Sequence, residues 1–434
     1  MSAIASRLRR CMTLVAAALA LCATTAVATP NALPRVQAKG TQWVRSDGTP
    51  IALKGANLGN WLLFEFWMMG QRTEKIDDQC TLEALFDQRF GRATRERLLK
   101  LFRDNWITER DWDGMARFGL NLVRVPFIWS VVEDELRPGH LRDDAWHYLD
   151  WAVAQAEARG MYVVLDLHGA VGSQGHEHHS GCAGQNKYWT TPEYQERTSW
   201  LWRQVAARYK GRTAVAGYSV LNEPWGATPE AMAAAMMPLV AAIRAGDPDA
   251  VVILPGHSAG IDAYGKPAAR GLTNVAFEMH FYPGHFGWGK AGREVHRRWL
   301  SCDPPGRGTC EWQTRMQALD APLFVGEFQP WADMDAELGA QITRASFDRY
   351  ASLGWASAVW SWKAVRNPGG PLDATWGLVT NADDAGVPAL DFATASLEQI
   401  ERLFRSFGTL PYRQRDEVLR WMTSAQPPQP FAVP

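Results

Sequence analysis

Two glutamates at the ends of short β-rich runs are the residues most able to do chemistry together. Glu223 follows the run 215–222, and Glu327 lies near the end of the run 323–328. Two carboxylates flanking one bond are what glycoside hydrolysis requires, because one protonates the leaving oxygen and the other acts as nucleophile or base. Each negative charge opposes ionisation of the other, so one can stay protonated near neutral pH. Either glutamate alone could equally cap a helix, whereas the pair favours catalysis.

Further polar residues stand close to these ends. Arg124, inside NLVRVPF, is costly to bury without a partner, and Glu327 is its natural partner. A purely structural ion pair is the alternative. His280 and Tyr282 share one strand face at period two, beside the run that carries Glu327, so the Tyr282 hydroxyl could hold that carboxylate ionised. The alternative for each is a purely structural role as a hydrogen-bonded side chain of the core.

A histidine and two tryptophans complete the set derived from strand ends. His168 ends the run VLDLH, where it can touch a sugar hydroxyl, and Asp166 on the same face could orient it. Trp360 and Trp362 share a face of the last run, and a tryptophan there can form the apolar floor beneath a sugar ring. Both tryptophans would also suit a core, so they carry little weight alone.

The loop Gly175-His176-Glu177-His178-His179 raises the question of a metal. Histidines in a Gly/Ser-bounded loop are usually solvated or hydrogen-bonded, and no helical histidine spacing with a third ligand occurs here. We therefore expect no metal and no cofactor. A metal-dependent hydrolase that uses this loop remains the alternative.

The elements that would position these residues alternate along the chain. Short β-rich runs at 51–58, 121–127, 162–168, 215–222, 250–255, 275–282, 323–328 and 357–362 are mostly separated by helical patterns. Such alternation predicts a parallel sheet closed as a (β/α)8 TIM barrel, whose chemistry sits at the carboxyl ends of the strands. The competing doubly wound sheet lacks its Gly-rich phosphate loop. Glu223 and Glu327, three strands apart, should then face one another across the mouth.

Helical periodicity between the strands predicts helices at 81–90, 92–104, 143–159, 192–209, 228–245 and 334–353. Asp143 and Thr228 are the expected N-caps of two of them. Residues 61–105 form a long insertion after the first strand, and residues 257–274 show too little periodicity for the fifth helix. A hairpin at 44–53, turning at Asp47-Gly48, is expected to plug the barrel floor.

The ends of the chain and its composition bound the cellular context. Residues 1–28 have the basic start, apolar run and small-residue site of an export signal, which predicts a secreted or periplasmic protein. Residues 29–425 would be one catalytic domain and 426–434 a loose tail. The formal net charge of -1 argues against nucleic acid as a partner. No later stretch approaches the length of a membrane span. We expect a monomer.

Four cysteines remain after removal of the export signal: Cys80, Cys182, Cys302 and Cys310. An even number in an oxidising compartment favours disulfides, with three possible connectivities. Cys302 and Cys310 flank a Pro/Gly-rich turn and are the preferred pair. Cys80 with Cys182 would follow by elimination.

Seven segments together resemble glycoside hydrolase family 5, most of all its exo-β-1,3-glucanase branch. They are, in order, KGANLGNWLLFEFW, NWITERDWDGMARFGLNLVRVPF, VLDLHGAVGSQ, LNEP, HFY, GEF and VWSWK, within residues 54–378. The resemblance implies a retaining enzyme with Glu223 as acid/base, Glu327 as nucleophile, and carboxyl groups about 5–5.5 Å apart. It places around the bound sugar Arg124, His168, Asn222, His280, Tyr282 and Trp360, with Glu65 at the outer, non-reducing sugar. It also implies a cis peptide at Trp360-Ser361.

The loops after the third and sixth strands depart from that branch. They read HEHHSGCAGQ and PGHFGWGKAGREVHRRW, the latter carrying Phe286 and Trp288. Because such loops build the sugar subsites, they leave open which linkage is cleaved and whether action is exo or endo. We expect an oligo- or polysaccharide substrate, a β-glucan. The alternatives are an endo-β-1,4-glucanase or mannanase, and a non-catalytic carbohydrate-binding barrel.

Overall fold

The computed structural model describes residues 32–71, 76–257, 260–367, 374–382 and 385–428. The predicted export segment and most of the predicted tail lie outside the described residues. The bounds of the catalytic domain, residues 29–425, therefore stay a prediction. In the described parts of the chain, no helix has both the length and the apolar composition needed to cross a bilayer.

The described part of the chain starts with an antiparallel hairpin of β1 (Val36–Lys39) and β2 (Gln42–Arg45). The predicted hairpin at 44–53 is therefore wrong in its bounds, because the longer pairing of β2 is with β1. The Asp47-Gly48 turn is present, and beyond it one bridge joins Val44 to Pro50, flanked by hydrogen bonds from the Arg45 N–H to Thr49 at 2.8 Å and from the Ile51 N–H to Trp43 at 3.0 Å.

The hairpin does cover the barrel floor, as expected. The indole N–H of Trp43 donates to the carbonyl oxygen of Leu323 at 3.0 Å. Val36 and Trp43 are buried with the first residues of several barrel strands, among them Leu122 and Tyr162. This contact closes the end of the barrel remote from the polar strand ends.

Eight parallel strands form the barrel itself. They are β3 (Lys54–Asn57), β4 (Leu122–Ile128), β5 (Tyr162–Gly169), β6 (Val215–Ser219), β7 (Val252–Pro255), β8 (Val275–Phe281), β9 (Leu323–Phe328) and β10 (Ala356–Val359). Neighbours pair in sequence order, and β10 closes the ring by pairing with both β9 and β3. The predicted (β/α)8 TIM barrel is confirmed. Strands such as β4 and β5 are buried along their whole length, because helices cover one face and side chains fill the other.

Helices surround the barrel and continue beyond it. They are α1 (Gln79–Phe90), α2 (Arg92–Trp106), α3 (Glu109–Arg117), α4 (His147–Ala158), α5 (Pro192–Tyr209), α6 (Pro229–Gly246), α7 (Arg293–Ser301), α8 (Thr309–Leu319), α9 (Ala336–Ser352), α10 (Leu397–Thr409) and α11 (Asp416–Thr423). Both ends of α5 coincide with the prediction. The Thr228 hydroxyl caps α6 by accepting the backbone N–H of Ala231 at 3.2 Å.

One predicted helix start is wrong. Helix α4 begins at His147, and Trp146 rather than Asp143 occupies its N-cap position. Residues 143–146 form turns instead, where the Asp144 carboxylate bonds to the Arg142 guanidinium at 2.9 Å. Between β7 and β8, as the weak periodicity indicated, the described residues hold only short 3-10 turns, at Asp262–Tyr264 and Pro267–Arg270.

The sequence patterns did not predict the C-terminal elements. A small two-stranded antiparallel sheet, β11 (Val379–Asn381) with β12 (Tyr412–Gln414), follows the barrel, with α10 between its strands in the chain. Helix α10 packs Phe404 and Phe407 against Phe102 of α2, in edge-to-face contacts with centroids 5.3 and 5.8 Å apart.

Both expected disulfides are present. Cys302 bonds to Cys310 within the connection from α7 to α8, and Cys80 bonds to Cys182 across 102 residues. The second bond joins the first turn of α1 to the loop that follows β5. That loop carries the histidines singled out in the sequence, so this disulfide bears directly on the mouth of the barrel.

Candidate active site

Glu223 and Glu327 meet at the carboxyl ends of the barrel strands. One oxygen of each carboxylate and one ring nitrogen of His280 lie within 4.8 Å of one another. Glu327 is the penultimate residue of β9, and Glu223 lies four residues beyond β6. Glu223 has φ +39°, in the left-handed region that non-glycine residues rarely occupy. Backbone held in such a conformation is characteristic of functional sites.

Glu327 is buried, accepts hydrogen bonds from two donors and lies beside His280. The Arg124 guanidinium donates to Oε1 at 3.0 Å, and the Tyr282 hydroxyl donates to Oε2 at 2.6 Å. His280 Nδ1 lies 3.4 Å from Oε2. Burial raises the pKa of Glu327, although the charges of His280 and Arg124 oppose the rise. The predicted partnerships of Arg124 and Tyr282 with this carboxylate are both present.

Arg124 lies at the centre of the charge network. Its side chain is fully buried and forms ion pairs of 2.9–3.0 Å with Asp166, Glu278 and Glu327. It also donates to Asn222 Oδ1 at 2.7 Å. The neighbouring carboxylates outweigh burial and raise the pKa of Arg124, so it stays charged. One guanidinium therefore balances buried charge and also fixes Asn222 and Glu327.

Glu223 is surrounded by imidazoles. His280 Nδ1 lies 2.6 Å from Oε1, His179 Nε2 lies 3.3 Å from Oε2, and His257 Nδ1 lies 4.0 Å from Oε1. Burial opposes ionisation of Glu223, but the hydrogen bond and charge of His280 outweigh it and hold the pKa of Glu223 well below its ordinary value. Burial lowers the pKa of His280, yet Glu327 and Glu223 raise it to about 10. Burial lowers the pKa of His179 to about 4.

His168 and Asn222 form a second hydrogen-bonded pair. His168 Nδ1 lies 2.7 Å from Asp166 Oδ2, the orientation predicted from the sequence. With Nδ1 protonated, His168 Nε2 accepts from the Asn222 amide nitrogen at 3.3 Å. The His168 ring also stacks on Trp360, with centroids 5.5 Å apart and planes inclined by 8°. Asn222 thus has its amide orientation set by Arg124 on one side and His168 on the other.

The two tryptophans that follow β10, Trp360 and Trp362, occupy different environments. Trp360 lines the cavity above the barrel, and the Trp360-Ser361 peptide is cis, as the family resemblance implied. The prediction that Trp362 binds substrate is wrong. Its ring is buried against Phe118, and its N–H donates to Asp111 Oδ1 at 3.0 Å, outside the cavity lining. Strand β10 ends at Val359, so alternation along a strand does not extend to residues 360–362.

The residues lie around a cavity of about 820 Å³. The predicted site residues that line this cavity are Glu65, His168, Asn222, Glu223, His280, Tyr282, Glu327 and Trp360. Sequence reasoning missed, among the lining residues, Trp67, Trp225, Trp376, His178, His179 and His257. In the histidine loop, His176 is exposed and bonds to the Asn186 amide, whereas His178 and His179 are half-buried and line the cavity next to Glu65 and Glu223. The clustering of histidines is itself a sequence signal of a polar site.

Glu223, His280 and Glu327 are close enough to share a cation. The surrounding contacts favour a hydrogen-bonded network instead. His280 Nδ1 is engaged with Glu223 at 2.6 Å, and the positive charge of Arg124 stands 3.0 Å from Glu327. A cation placed between the carboxylates would meet that guanidinium charge at short range.

A closed (β/α)8 barrel with paired glutamates at its mouth defines a glycoside hydrolase scaffold. Residues 90–365 match the family Cellulase (glycosyl hydrolase family 5). Since the match takes in more than half of the chain, the protein belongs to glycoside hydrolase family 5.

Curated relatives are similar over part of their length. A "Beta-xylosidase" of Phanerodontia chrysosporium is 30% identical over 295 residues, which cover 64% of this chain and 60% of that protein. A "Probable glucan 1,3-beta-glucosidase A" of Aspergillus niger is 32% identical over 201 residues, covering 45% of this chain and 47% of that protein. The matched part of the chain thus spans about half to three-fifths of these relatives.

Solved structures support the fold alone. A rutinosidase from Aspergillus niger superposes with a TM-score of 0.54 at 17% identity, covering 78% of this chain and 95% of the other. The structure titled AoRut superposes with a TM-score of 0.59 at 18% identity, covering 75% of this chain and 94% of the other.

Proposed function

We propose that the protein is a retaining β-glycosidase that hydrolyses β-glucan, with Glu223 as acid/base and Glu327 as nucleophile. The observation that carries the proposal is the meeting of the two carboxylates, with oxygens within 4.8 Å, in a cavity also lined by His168, Asn222 and Trp360. Retaining enzymes keep their carboxyl groups closer together than inverting enzymes, which need room for a water between them. The short approach of these oxygens supports retention.

In the first displacement Glu327 attacks the anomeric carbon, and the bond to the leaving oxygen breaks as Glu223 donates a proton to it. Arg124 and Tyr282 aim the attacking carboxylate through hydrogen bonds of 3.0 and 2.6 Å. In the second displacement Glu223 deprotonates water, the water oxygen bonds to the anomeric carbon, and the bond to Glu327 breaks. Asn222, held by Arg124 at 2.7 Å, is placed to bind the 2-hydroxyl of the sugar.

The proton that the first step requires resides in a network rather than on one residue. His280 holds the pKa of Glu223 low while burial raises the pKa of Glu327, the reverse of the order that the chemistry needs. His280 Nδ1 lies 2.6 Å from Glu223 and 3.4 Å from Glu327, so it bridges the two carboxylates. The three groups titrate as a unit. We infer that the proton moves to Glu223 along the short His280 hydrogen bond as the negative charge of Glu327 is lost on bonding to the anomeric carbon.

Exo action on β-1,3-linked glucan is the finer proposal, supported by relatives named probable glucan 1,3-beta-glucosidase. An endo-acting β-1,4-glucanase or mannanase is the second candidate. It is favoured by the size of the cavity and by the partly exposed aromatic rings of Trp225, Phe286 and Trp288 at its rim, which could stack further sugars. Both glutamates are present and paired, which counts against a non-catalytic binding barrel.

The predicted export signal and the two disulfides support a secreted or periplasmic location.

The test uses two active-site variants on laminarin, lichenan, cello-oligosaccharides and mannan. Glu327→Gln should abolish turnover on every substrate, because the amide is a poor nucleophile. Glu223→Ala should lose turnover on the glucans yet retain activity on aryl glycosides, whose leaving groups need little protonation. Glu230→Gln, on the exposed start of α6, is the control and should behave as wild type.

Full activity of Glu327→Gln on the preferred glucan would overturn the assignment of the nucleophile. Absence of hydrolysis by the wild type, with measurable sugar binding, would revive the binding-barrel alternative. Identifying the first products separates the finer alternatives, since exo action releases one small sugar and endo action a ladder of oligosaccharides.

A further inference from the structure

The short segment of residues 175–182, here called the imidazole loop, is fixed against the barrel mouth. Cys182 is bonded to Cys80, and the backbone N–H of Cys80 donates to the Gly181 carbonyl at 3.0 Å. The Ser180 hydroxyl bonds to the carbonyl oxygens of Gly175 and Glu177 at 3.2 and 2.8 Å. These contacts hold the backbone that carries His178 and His179.

His178 lines the cavity beside Glu65. Its Nε2 is buried and forms an ion pair with Glu65 Oε2 at 3.5 Å. Glu65 is itself buried, and its Oε2 accepts the indole N–H of Trp67 at 2.8 Å. Burial disfavours the charged imidazole, but Glu65 outweighs it and raises the pKa of His178. An imidazole, a carboxylate and an indole therefore lie side by side on one wall of the cavity.

This combination suits the hydroxyl groups of a neutral sugar. The carboxylate accepts from a hydroxyl, the imidazole donates to its neighbour, and the indole offers an apolar edge to the ring. A sugar that carries its own carboxylate would meet the charge of Glu65. The ring centroids of His178 and His179 are 5.7 Å apart, and His179 contacts Glu223. That spacing is comparable to the width of one pyranose ring. Because His179 lies beside Glu223, His178 is placed to contact hydroxyls on the far side of the ring from the cleaved bond.

We propose that His178 is a specificity-determining residue that binds, together with Glu65, neighbouring hydroxyls of a neutral sugar on the edge remote from its anomeric carbon. The inference rests on the proposed glycosidase function and adds to it a residue and a class of sugar. The imidazole loop then acts as a fixed recognition element, joined covalently to α1 by the Cys80–Cys182 bond.

The experiment compares His178→Ala, His178→Gln and the control His176→Ala on aryl β-glucoside and its 3-, 4- and 6-deoxy analogues. His176 is on the same loop, is exposed, and bonds to the Asn186 amide rather than lining the cavity. His178→Ala should lower kcat/KM on the parent glucoside on the order of tenfold to a hundredfold, as expected for one hydrogen bond with a charged partner. His178→Gln, which keeps a donor, should recover part of that loss, and His176→Ala should match wild type.

The deoxy analogues distinguish recognition from a structural role. On the analogue that lacks the hydroxyl bound by His178, wild type and His178→Ala should have equal kcat/KM. An equal loss on the parent and on every analogue would overturn the proposal, as would a His178→Ala variant indistinguishable from His176→Ala.

Binding of laminaritriose, followed by tryptophan fluorescence, separates this inference from the proposed activity. If the wild type hydrolyses no glycoside, the proposed function fails. Weaker binding by His178→Ala than by His176→Ala would still support the recognition role, and equal binding would reject it.

Discussion

Arg124 shows how a single side chain can serve both the stability and the chemistry of a site. It has no exposed surface and pairs with Asp166, Glu278 and Glu327. An uncompensated charge in such a place is expensive, so each carboxylate depends on the guanidinium. The same bonds hold Asn222 and Glu327 in the geometry that the proposed reaction needs. The structural and functional interpretations of this arginine are therefore compatible.

Arg124→Met should lower the free energy of unfolding by about 3–5 kcal/mol, because it leaves three carboxylates without their buried cation. Urea denaturation at pH 7, followed by circular dichroism, measures the change. Arg402→Met is the control, since Arg402 is 71% exposed and its pair with Glu398 should contribute less than about 1 kcal/mol. A loss for Arg124→Met no larger than that of the control would contradict the central role of the arginine.

Individual site residues were predictable where they belong to strands. Arg124, His280 and Glu327 followed from the run in which each lies and from alternation along it. His178 and His257 did not, because they lie on loops whose course depends on tertiary contacts such as the Cys80–Cys182 bond. Trp362 lies beyond the end of β10, where strand alternation no longer determines the side on which a residue lies.

Among the elements, α7 carries a buried histidine that the proposed reaction does not use. His296 is 2% exposed, and its Nε2 has no hydrogen-bond partner. Burial, with a smaller contribution from His285, lowers the pKa of His296 to about 3. The unfolded chain, whose histidines have pKa values near 6.5, binds the proton more readily. The stability associated with His296 is therefore complete above about pH 6.5 and falls as the pH drops toward 3.

His296→Leu should remove this dependence. Between pH 7.5 and pH 5.0 the wild type should lose about 2 kcal/mol more unfolding free energy than the variant, from about 1.4 kcal/mol for each pH unit below 6.5. Urea denaturation at the two pH values gives the difference directly, and other titrating groups cancel between the two proteins. Parallel losses would mean that His296 is protonated in the folded state or accessible to solvent.

Elements with strong local signals were predicted well. Helices α5 and α6 each have a proline in the first turn and an apolar face, and their bounds agree with the prediction to within a residue. The strands of the β11–β12 sheet are only three residues long, too short for alternation to be detected. The β1–β2 hairpin depended on pairing partners that turn residues alone do not specify.

For the molecule as a whole, the barrel followed from the number and order of its strands, and the cavity did not. Eight alternations leave few topologies, because parallel strands need crossovers and neighbours in sequence tend to be neighbours in space. The cavity is bounded by loops from many parts of the chain. These loops supply lining residues such as Trp67, Trp225 and Trp376. Their meeting depends on long-range contacts, and no period in the sequence encodes it.

The two disulfides differ in how much of the chain they constrain, and this gives a prediction for the whole molecule. Cys80–Cys182 closes 102 residues and Cys302–Cys310 closes eight. Loop-closure entropy predicts that removing the first costs about 4.7 kcal/mol of unfolding free energy, and removing the second about 2.5 kcal/mol. Urea denaturation of the two Cys→Ser double variants measures both losses.

Activity should separate the two variants further. Cys80→Ser/Cys182→Ser frees the imidazole loop, which carries His178 and His179 into the cavity, so kcat/KM on the preferred glycoside should fall while the protein is still folded. Cys302→Ser/Cys310→Ser leaves that loop untouched, and its kcat/KM should stay at the wild-type value at temperatures well below unfolding. Equal activity in both variants would mean that the remaining hydrogen bonds of the loop suffice to hold its histidines, and that the disulfide stabilises the fold without shaping the site.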